Sequence, residues 1–521
     1  MTASFDLTIM PWIPVQWRPD VAGPTPSEVG LEEALLRAHE IVEIETGSPL
    51  ETIALNRLLL ALSVRVYPET GQRDRWFETW KNGRFNPAPL KHYLDDAGWR
   101  ERFDLLHPSR PFYQNLRHDA SEISSINRLF PEASVNNNPV LFSHDTNDYM
   151  QPVPLSRAAR GIIAIQVFAV QGGKATPFYY SDAPGIGRAF FWLRGKSLFQ
   201  ALLLNAPPIE AARMGGLRPD DRLTWELDSA PEARKRPHAG FLDYLTWQPR
   251  RLCLYRQEDM DGVTGVYFNQ GDRLQADETP DEPHAAMIQK GERHMPFSLN
   301  AHRALWRDAH LFLMTQRHAQ AERAPRTFTW LAANEHRFGP GGGSLRWEAD
   351  VFGLVNNNAD IVLWRHERFP IYSSILNDVN RWEQLKRVQE ITERQADRLK
   401  RATQAYAVRA RIGKAINDRL GDNERRERDE LVAALATERR YWSGLEARFF
   451  DLLQRLATIE DEGLDVVVEE WQVFLHRAAR TSLREATESL VQDARSLQAL
   501  AEAEMVLLFD SLTPPNRSNN P

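Results

Sequence analysis

The stretch Gly353-Leu354-Val355-Asn356-Asn357-Asn358-Ala359-Asp360-Ile361-Val362-Leu363-Trp364-Arg365-His366 decides how the rest of the chain is read. Three consecutive asparagines separate two apolar runs, Val351-Phe352-Gly353-Leu354-Val355 and Ile361-Val362-Leu363-Trp364. Such runs, broken by Asn-Asn, predict two strands joined by a tight turn, because Asn tolerates positive φ. The tip of that turn carries side-chain amides, each both donor and acceptor. A hairpin that only holds a sheet together has the same pattern, so the pattern alone assigns no function.

Downstream of the hairpin the character changes. From about Ser373, Gly and Pro nearly vanish and Arg, Glu, Ala and Leu dominate. Leu385, Val388, Ile391, Leu399, Ala402 and Tyr406 fall at helical spacing, as do Leu431, Leu435, Trp442, Leu445, Phe449, Leu452 and Leu456. A third series runs Trp471, Phe474, Ala478, Leu483, Ala486, Leu490, Ala494 and Leu497. Stripes this long, parted near Gly413–Asn423 and at Glu460–Gly463, predict antiparallel helices in a bundle. A break in the first or third stripe makes four rods. The tail 514–521 is expected to be disordered.

Upstream the pattern is mixed. Phe5 to Val15 alternates and contains prolines, which predicts an opening strand or short hairpin at a sheet edge. Gly30–His39 and Leu50–Val66 read as helices, the second capped by Ser48 or Thr46. Trp76 to His107 reads as short helices packed through aromatics. Leu155–Gln171 reads as a buried helix stopped by Gly172-Gly173, glycines that also let another backbone or a ligand come close. Strands are expected up to about Phe268 and over 326–334 and 345–366, with a helix over 303–316. The fold class is therefore α+β: a large mixed N-terminal globular domain (1–370) followed by a C-terminal antiparallel four-helix bundle (371–513) and the tail.

At 521 residues, 42 % hydrophobic and 26 % charged, the chain has the makings of two to four globular domains with a substantial core. A net charge of −7 argues against a uniformly basic nucleic-acid coat, though not against local basic patches. The one cysteine, Cys253, sits among apolar neighbours and reads as a buried strand thiol. It allows no internal disulfide and no Cys-x-x-Cys metal site, which fits a reducing cytoplasm. No stretch reaches the ~18 apolar residues of a membrane span, and no signal peptide opens the chain.

Catalytic patterns are scarce. Arg194-Gly195-Lys196-Ser197 lacks the earlier glycine of a phosphate-binding loop, and Gly185-Ile186-Gly187 lacks the third glycine of a dinucleotide fingerprint. His144-Asp145 hints at a metal-dependent phosphohydrolase, but a lone pair without further ligands is weak. His336 and His366 stand isolated. What is left is binding: Arg234-Lys235-Arg236, Arg250-Arg251 and the basic run from Lys400 to Lys414, with the glycine loop and the asparagine turn, permit a modest nucleic-acid surface.

The order of these parts is familiar. Leu7-Thr8-Ile9-Met10-Pro11-Trp12-Ile13-Pro14-Val15, Asn138-Pro139-Val140-Leu141-Phe142, Gly240-Phe241 with Trp247-Gln248-Pro249, Thr264-Gly265, Pro283-His284 and Gly353–His366 before a helical bundle together resemble the large subunit of the type I-E CRISPR surveillance complex, Cascade. The resemblance spans nearly the whole chain. It implies a protein without cofactors that does not cut. Such a subunit reads the protospacer-adjacent motif (PAM) on double-stranded target DNA, starts strand separation so that guide RNA can pair, and offers a docking surface to the helicase-nuclease. Its other implied partners are the small and backbone subunits of Cascade and the 5′ handle of the guide RNA. By the same resemblance Asn357, Asn358 and Ala359 form the tip of a wedge, with Asn358 where the best-known relative has glutamine. Gly172, Gly173 and Lys174 stand at the family's glycine loop, with fewer glycines. No lysine stands where that relative has a lysine finger; Asn269 and Gln270 occupy the place. Asn138, Leu141 and Phe142 match the loop that contacts PAM and the guide handle. Minor-groove edges are degenerate, so amides, bare backbone and shape suit a tolerant reader there. A metal-dependent nuclease using His144-Asp145 and a purely bridging scaffold are the alternatives.

Overall fold

A computed structural model of the chain describes residues 4–115, 123–131, 152–172, 179–208, 220–228, 233–257, 260–275, 282–314, 322–338, 346–357 and 360–508. The chain separates into two compact units. The first comprises Met1–Leu305, Met314–Gly341 and Arg346–Ile371; the second comprises Trp306–Leu313, Gly342–Leu345 and Tyr372–Pro521.

The first unit mixes small sheets with helices. Strand β1 (Ile13–Trp17) lies between β2 (Glu28–Val29) and β3 (Ile41–Ile44), antiparallel to both. The prolines predict an edge, yet β1 is central. Pro14 needs no ladder donor here, because it uses its carbonyl, which accepts from the Glu45 amide at 3.2 Å. Helix α1 (Pro49–Val66) is capped by Ser48, whose hydroxyl accepts from the Glu51 amide at 3.4 Å, and Pro49 opens it at a position with no amide to lose. Leu55, Leu58, Leu59, Leu60 and Leu62 are buried, so the helix is core on nearly all sides. Each such side chain contributes about 1.5–3 kcal/mol of burial.

Two charged side chains of this helix, Glu51 and Arg57, are buried. Arg57 donates to Glu282 at 2.8 Å, and both side chains are buried. His284 sits 2.6 Å from the other Glu282 oxygen and 2.8 Å from the carbonyl of Asn205. Burial alone would raise the Glu282 carboxyl; the Arg57 guanidinium and the His284 bond instead hold it far below its ordinary value.

Helix α2 (Leu155–Phe168) is buried along most of its length and ends three residues earlier than expected, with Ala169 already extended. Strands β4 (Ala189–Leu193), β5 (Arg250–Tyr255) and β6 (Gly265–Gln270) follow, with β5 and β6 antiparallel and Ser124–Ser125 pairing the far side of β6. Cys253 is buried on β5, and burial pushes its thiol pKa up. The segment expected as a strand at 326–334 is a helix, Arg326–Ala333. Its Thr and aromatic content favours a strand locally, but Pro325 stands at the cap and Thr327, Phe328 and Leu331 share one helical face in the core, so packing overrides propensity.

The second unit is a bundle of α3 (Val379–Ala407), α4 (Asp422–Leu435), α5 (Thr437–Thr458), α6 (Leu464–Thr487) and α7 (Ala494–Leu508). Helices α4 and α5 are parted only by Ala436, which takes φ 47°; counted together they are the second of four rods. Arg381 near the start of α3 reaches the carbonyl of Leu456 near the end of α5, and Tyr441 early in α5 donates to the carbonyl of Thr392, so these rods run antiparallel. The third stripe is broken as well. Glu488–Leu490 forms a short 3-10 turn, the phase resets across it, and Leu490 and Leu497 are exposed instead of core. In the second rod Tyr441 takes the seam; Trp442 is half-buried under the Arg307 guanidinium, 3.5 Å from its ring centre. The segment Trp306–Leu313 belongs to this unit, with Arg307 bidentate on Glu393 and Gln389 donating to the Trp306 carbonyl at 2.7 Å.

Candidate nucleic-acid interface

Strands β7 (Arg346–Asn357) and β8 (Asp360–Tyr372) form the hairpin read from the asparagine run. Its inner part is anchored: Ala349 to Gly353 pair with Leu193 to Ala189 on β4. Gly353 is required by close approach, because a Cβ there would lie 2.9 Å from Leu299 and 3.2 Å from the Arg188 carbonyl. Beyond Gly353 the β4 partner ends. Burial then falls from Leu354 through Val355 and Asn356 to the exposed Asn357. On β8, an edge strand, exposure alternates and leaves Val362 and Trp364 open.

The root of the hairpin is fastened by charge. Asp350 on β7 is buried; His366 and Arg368 on β8 reach one of its oxygens at 2.9 and 3.3 Å, and Arg194 reaches the other at 2.5 Å. Arg194 also pairs with Glu43. Burial would raise the Asp350 carboxyl, but the bond to His366 and the Arg194 guanidinium hold it below its ordinary 3.8. Arg365 donates to the carbonyls of Asn300 and Arg303, both at 2.8 Å. His366 looked isolated in the sequence because its partner lies 16 residues away on the other strand. Two apolar runs of matched length around a turn were the signal that could have paired them.

The second candidate element is the glycine loop. Gly172 takes φ 116°, a left-handed conformation that side chains resist. The neighbouring Gln171 amide donates to Asp182 at 2.7 Å, and the Gly172 amide donates to the Tyr180 carbonyl at 3.4 Å. Burial raises the Asp182 carboxyl above its usual range despite that amide. Gln270 ties the loop to β6: its side-chain oxygen accepts from the Ser181 amide at 3.0 Å, while its nitrogen donates to the Ser181 hydroxyl and to the carbonyls of Pro249 and Gly271. Gln270 has no exposure, so its amide shapes this corner and does not reach out of it. Asn269 is partly exposed, its oxygen accepting from the Gln270 amide at 2.9 Å. Gly172 and Gln270 are thus brought together at one corner.

Of the remaining expected residues, Asn358, Ala359, Gly173, Lys174, Asn138, Leu141 and Phe142 lie outside the described residues, as do His144-Asp145 and the tail 514–521. Two of the basic spots are structural. Arg250 is buried, its guanidinium on the carbonyls of Pro249 and Val170, and burial pushes its pKa down to about 10. Arg236 is bidentate on Asp243 at 2.6 and 2.9 Å and also holds Asp272. Among the described residues no group of three or more His, Cys, Asp or Glu could hold a metal ion, and no helix is long and apolar enough to cross a membrane.

Comparison with known proteins places this arrangement. Residues 6–482 match the family described as CRISPR-associated protein Cse1. A CRISPR-associated protein CasA/Cse1 of Thermus thermophilus is 30 % identical over 511 residues, covering 96 % of each chain. A crystal structure of Thermus thermophilus CasA superposes with a TM-score of 0.78 at 26 % identity, over 97 % of this chain and 98 % of that one. A chain from a structure described as a CRISPR RNA-guided surveillance complex shares the fold at a TM-score of 0.74 and 20 % identity, over 97 % of this chain and 100 % of that one. The chain belongs to the CRISPR-associated protein Cse1 family.

Proposed function

We propose that the chain is the non-catalytic large subunit of a type I-E CRISPR RNA-guided surveillance complex, acting in the cytoplasm. In this reading it inspects PAM from the minor groove of double-stranded target DNA, and the Asn357-Asn358-Ala359 tip enters the duplex to begin R-loop formation. The Gly172-Gly173-Lys174 loop lies along the groove edge with Asn269, held by Gln270. Asn138, Leu141 and Phe142 touch the guide-RNA 5′ handle, and the same subunit helps recruit the helicase-nuclease. The observation that carries the reading is the hairpin, fastened at its root by Asp350 and ending in an exposed asparagine, in a chain of the Cse1 family.

The physics is consistent. Opening a base step costs a few kcal/mol, so a wedge works only on a stiff base, and the cost is offset by DNA contacts and guide pairing. Anchoring at the root supplies that stiffness. A subunit reading only a few base pairs needs no overall positive charge, which suits a net charge of −7.

The test uses the assembled complex with Asn358→Ala, and Gly173→Asp as a second probe. Binding to a duplex target weakens, while binding to a target already unpaired beside the PAM suffers less. Equal losses on both substrates would refute the wedge.

A further inference from the structure

A cleft of about 320 Å3 in the first unit belongs neither to the hairpin nor to the glycine loop. Its floor is aromatic: Phe112, Tyr113 and Trp225 pack with ring centres 4.7 to 5.9 Å apart. Its rim is basic, with Arg102, Arg110, Arg234, Arg236 and Arg251 lining it.

The charge balance is unusual for this protein. Asp228 and Asp272 also line the cleft, and Asp243 holds Arg236 from behind. Among the described residues the lining is thus richer in guanidiniums than in carboxylates. The balancing is uneven as well. Arg236 is fully engaged, but Arg102 and Arg110 share the one exposed Asp228 carboxylate, each at 3.5 Å. That is looser than the 2.7–2.9 Å of a strong charged hydrogen bond. Arg234 is exposed, and only its backbone amide engages Asp272.

The backbone of the floor is held in an uncommon conformation. Tyr113 takes φ 59°, one of two non-glycine residues with positive φ among the described residues. The conformation is maintained from both sides: the Phe112 amide donates to the Asp104 carbonyl at 3.0 Å, the Gln114 side chain donates to the Leu105 carbonyl and accepts from the Leu254 amide, both at 2.8 Å, and the Asn115 amide donates to the Leu252 carbonyl at 2.8 Å. Strain of this kind concentrates at ligand sites.

We propose that this cleft binds the 5′-phosphate of a nucleotide, with the phosphate between the Arg110 and Arg234 sides and the nucleoside over the aromatic floor. The volume is at the small end of ligand pockets, which suits a mononucleotide. The basic rim suits a phosphate monoester dianion, whose oxygens guanidinium forks match. The same chemistry comes from two sources, a free nucleotide or the phosphorylated 5′ end of an oligonucleotide. The proposal does not depend on the reading of the hairpin.

The experiment is calorimetric titration of the purified chain at low salt with AMP, adenosine, and an RNA tetranucleotide carrying either a 5′-phosphate or a 5′-hydroxyl. The phosphorylated member of each pair binds at least about tenfold tighter, and Arg110→Glu and Arg234→Glu each remove about tenfold or more of that advantage. Arg75→Glu, at an exposed side chain that does not line the cleft, leaves it unchanged. AMP binding as tightly as the phosphorylated tetramer identifies a free nucleotide as the source; a much tighter tetramer identifies a nucleic-acid end. Equal affinity with and without phosphate, no heat from any phosphorylated probe at millimolar concentration, or unaltered binding in both Arg variants overturns the proposal.

Discussion

The imidazole of His366 stacks flat on the ring of Phe352, with centroids 4.5 Å apart and planes 5° apart, while its Nε2 lies 2.9 Å from Asp350. One side chain of β8 is thereby clamped to β7 by dispersion on its face and by charge on its edge. The clamp sits on the part of the hairpin that pairs with β4.

Asp350 makes the stability of that clamp depend on acid in a defined direction. Its carboxyl titrates below its ordinary 3.8. A depressed carboxylate contributes its full stability above the unfolded value and loses it as pH falls through the lower folded value. The melting temperature of the wild type therefore drops between pH 5 and pH 2 by more than that of Asp350→Asn. At neutral pH the variant is less stable by about 1–3 kcal/mol, the usual cost of weakening hydrogen bonds at a buried charged group, since Arg194 keeps Glu43. Melts across that pH range check both.

The buried pair of Arg57 on α1 with Glu282 gives a second prediction. Glu282→Gln leaves the Arg57 charge buried without its counter-ion, and stability of the first unit falls by about 3–5 kcal/mol. Arg57→Met together with Glu282→Gln recovers part of that loss, because no unpaired charge is left. A urea denaturation series of the two single variants and the double variant measures the coupling.

Gln270 and Asn269 are adjacent, yet their variants behave differently. Gln270→Ala strips the acceptor from the Ser181 amide and the donor from the Pro249 carbonyl, costing about 1–3 kcal/mol. Amide exchange at Ser181 speeds up accordingly. Asn269→Ala leaves Ser181 exchange near the wild-type rate. Hydrogen exchange resolved to that peptide distinguishes the corner's support from its surface.

In the bundle, Tyr441→Ala destabilises by about 3–5 kcal/mol, since the ring is buried and its hydroxyl donates to the Thr392 carbonyl at 3.2 Å. Trp442→Ala, which the unbroken stripe would make the larger loss, costs less than Tyr441→Ala because that ring is only half-buried. Its main partner is the Arg307 guanidinium, a contact of about 0.5–2 kcal/mol. Chemical denaturation followed by helical ellipticity ranks the two.

These residues also mark how far the sequence could be read. The hairpin was legible because strand signals on both sides of Asn356-Asn357-Asn358 agree, and four rods were legible because the stripes are long. What was hidden depends on distant partners. Nothing local says that Trp306–Leu313 packs in the second unit, that a Thr-rich and aromatic stretch at 326–333 coils as a helix, or that Gln270 is spent indoors. Phase cannot be carried through a break either, which is why Leu490 and Leu497 fell off the third stripe. At the candidate site, residue types pointed to amides and glycine, but the ionic root at Asp350 needed three dimensions.

Cys253, the chain's single sulfhydryl, is sealed inside β5 in its protonated form. Maleimides attack thiolates that solvent can reach, so the native protein is nearly silent to such reagents without any engineering. A cysteine installed at the exposed position 357 would become the one fast-reacting handle. A fluorophore or photocrosslinker there would report directly on whatever the hairpin meets.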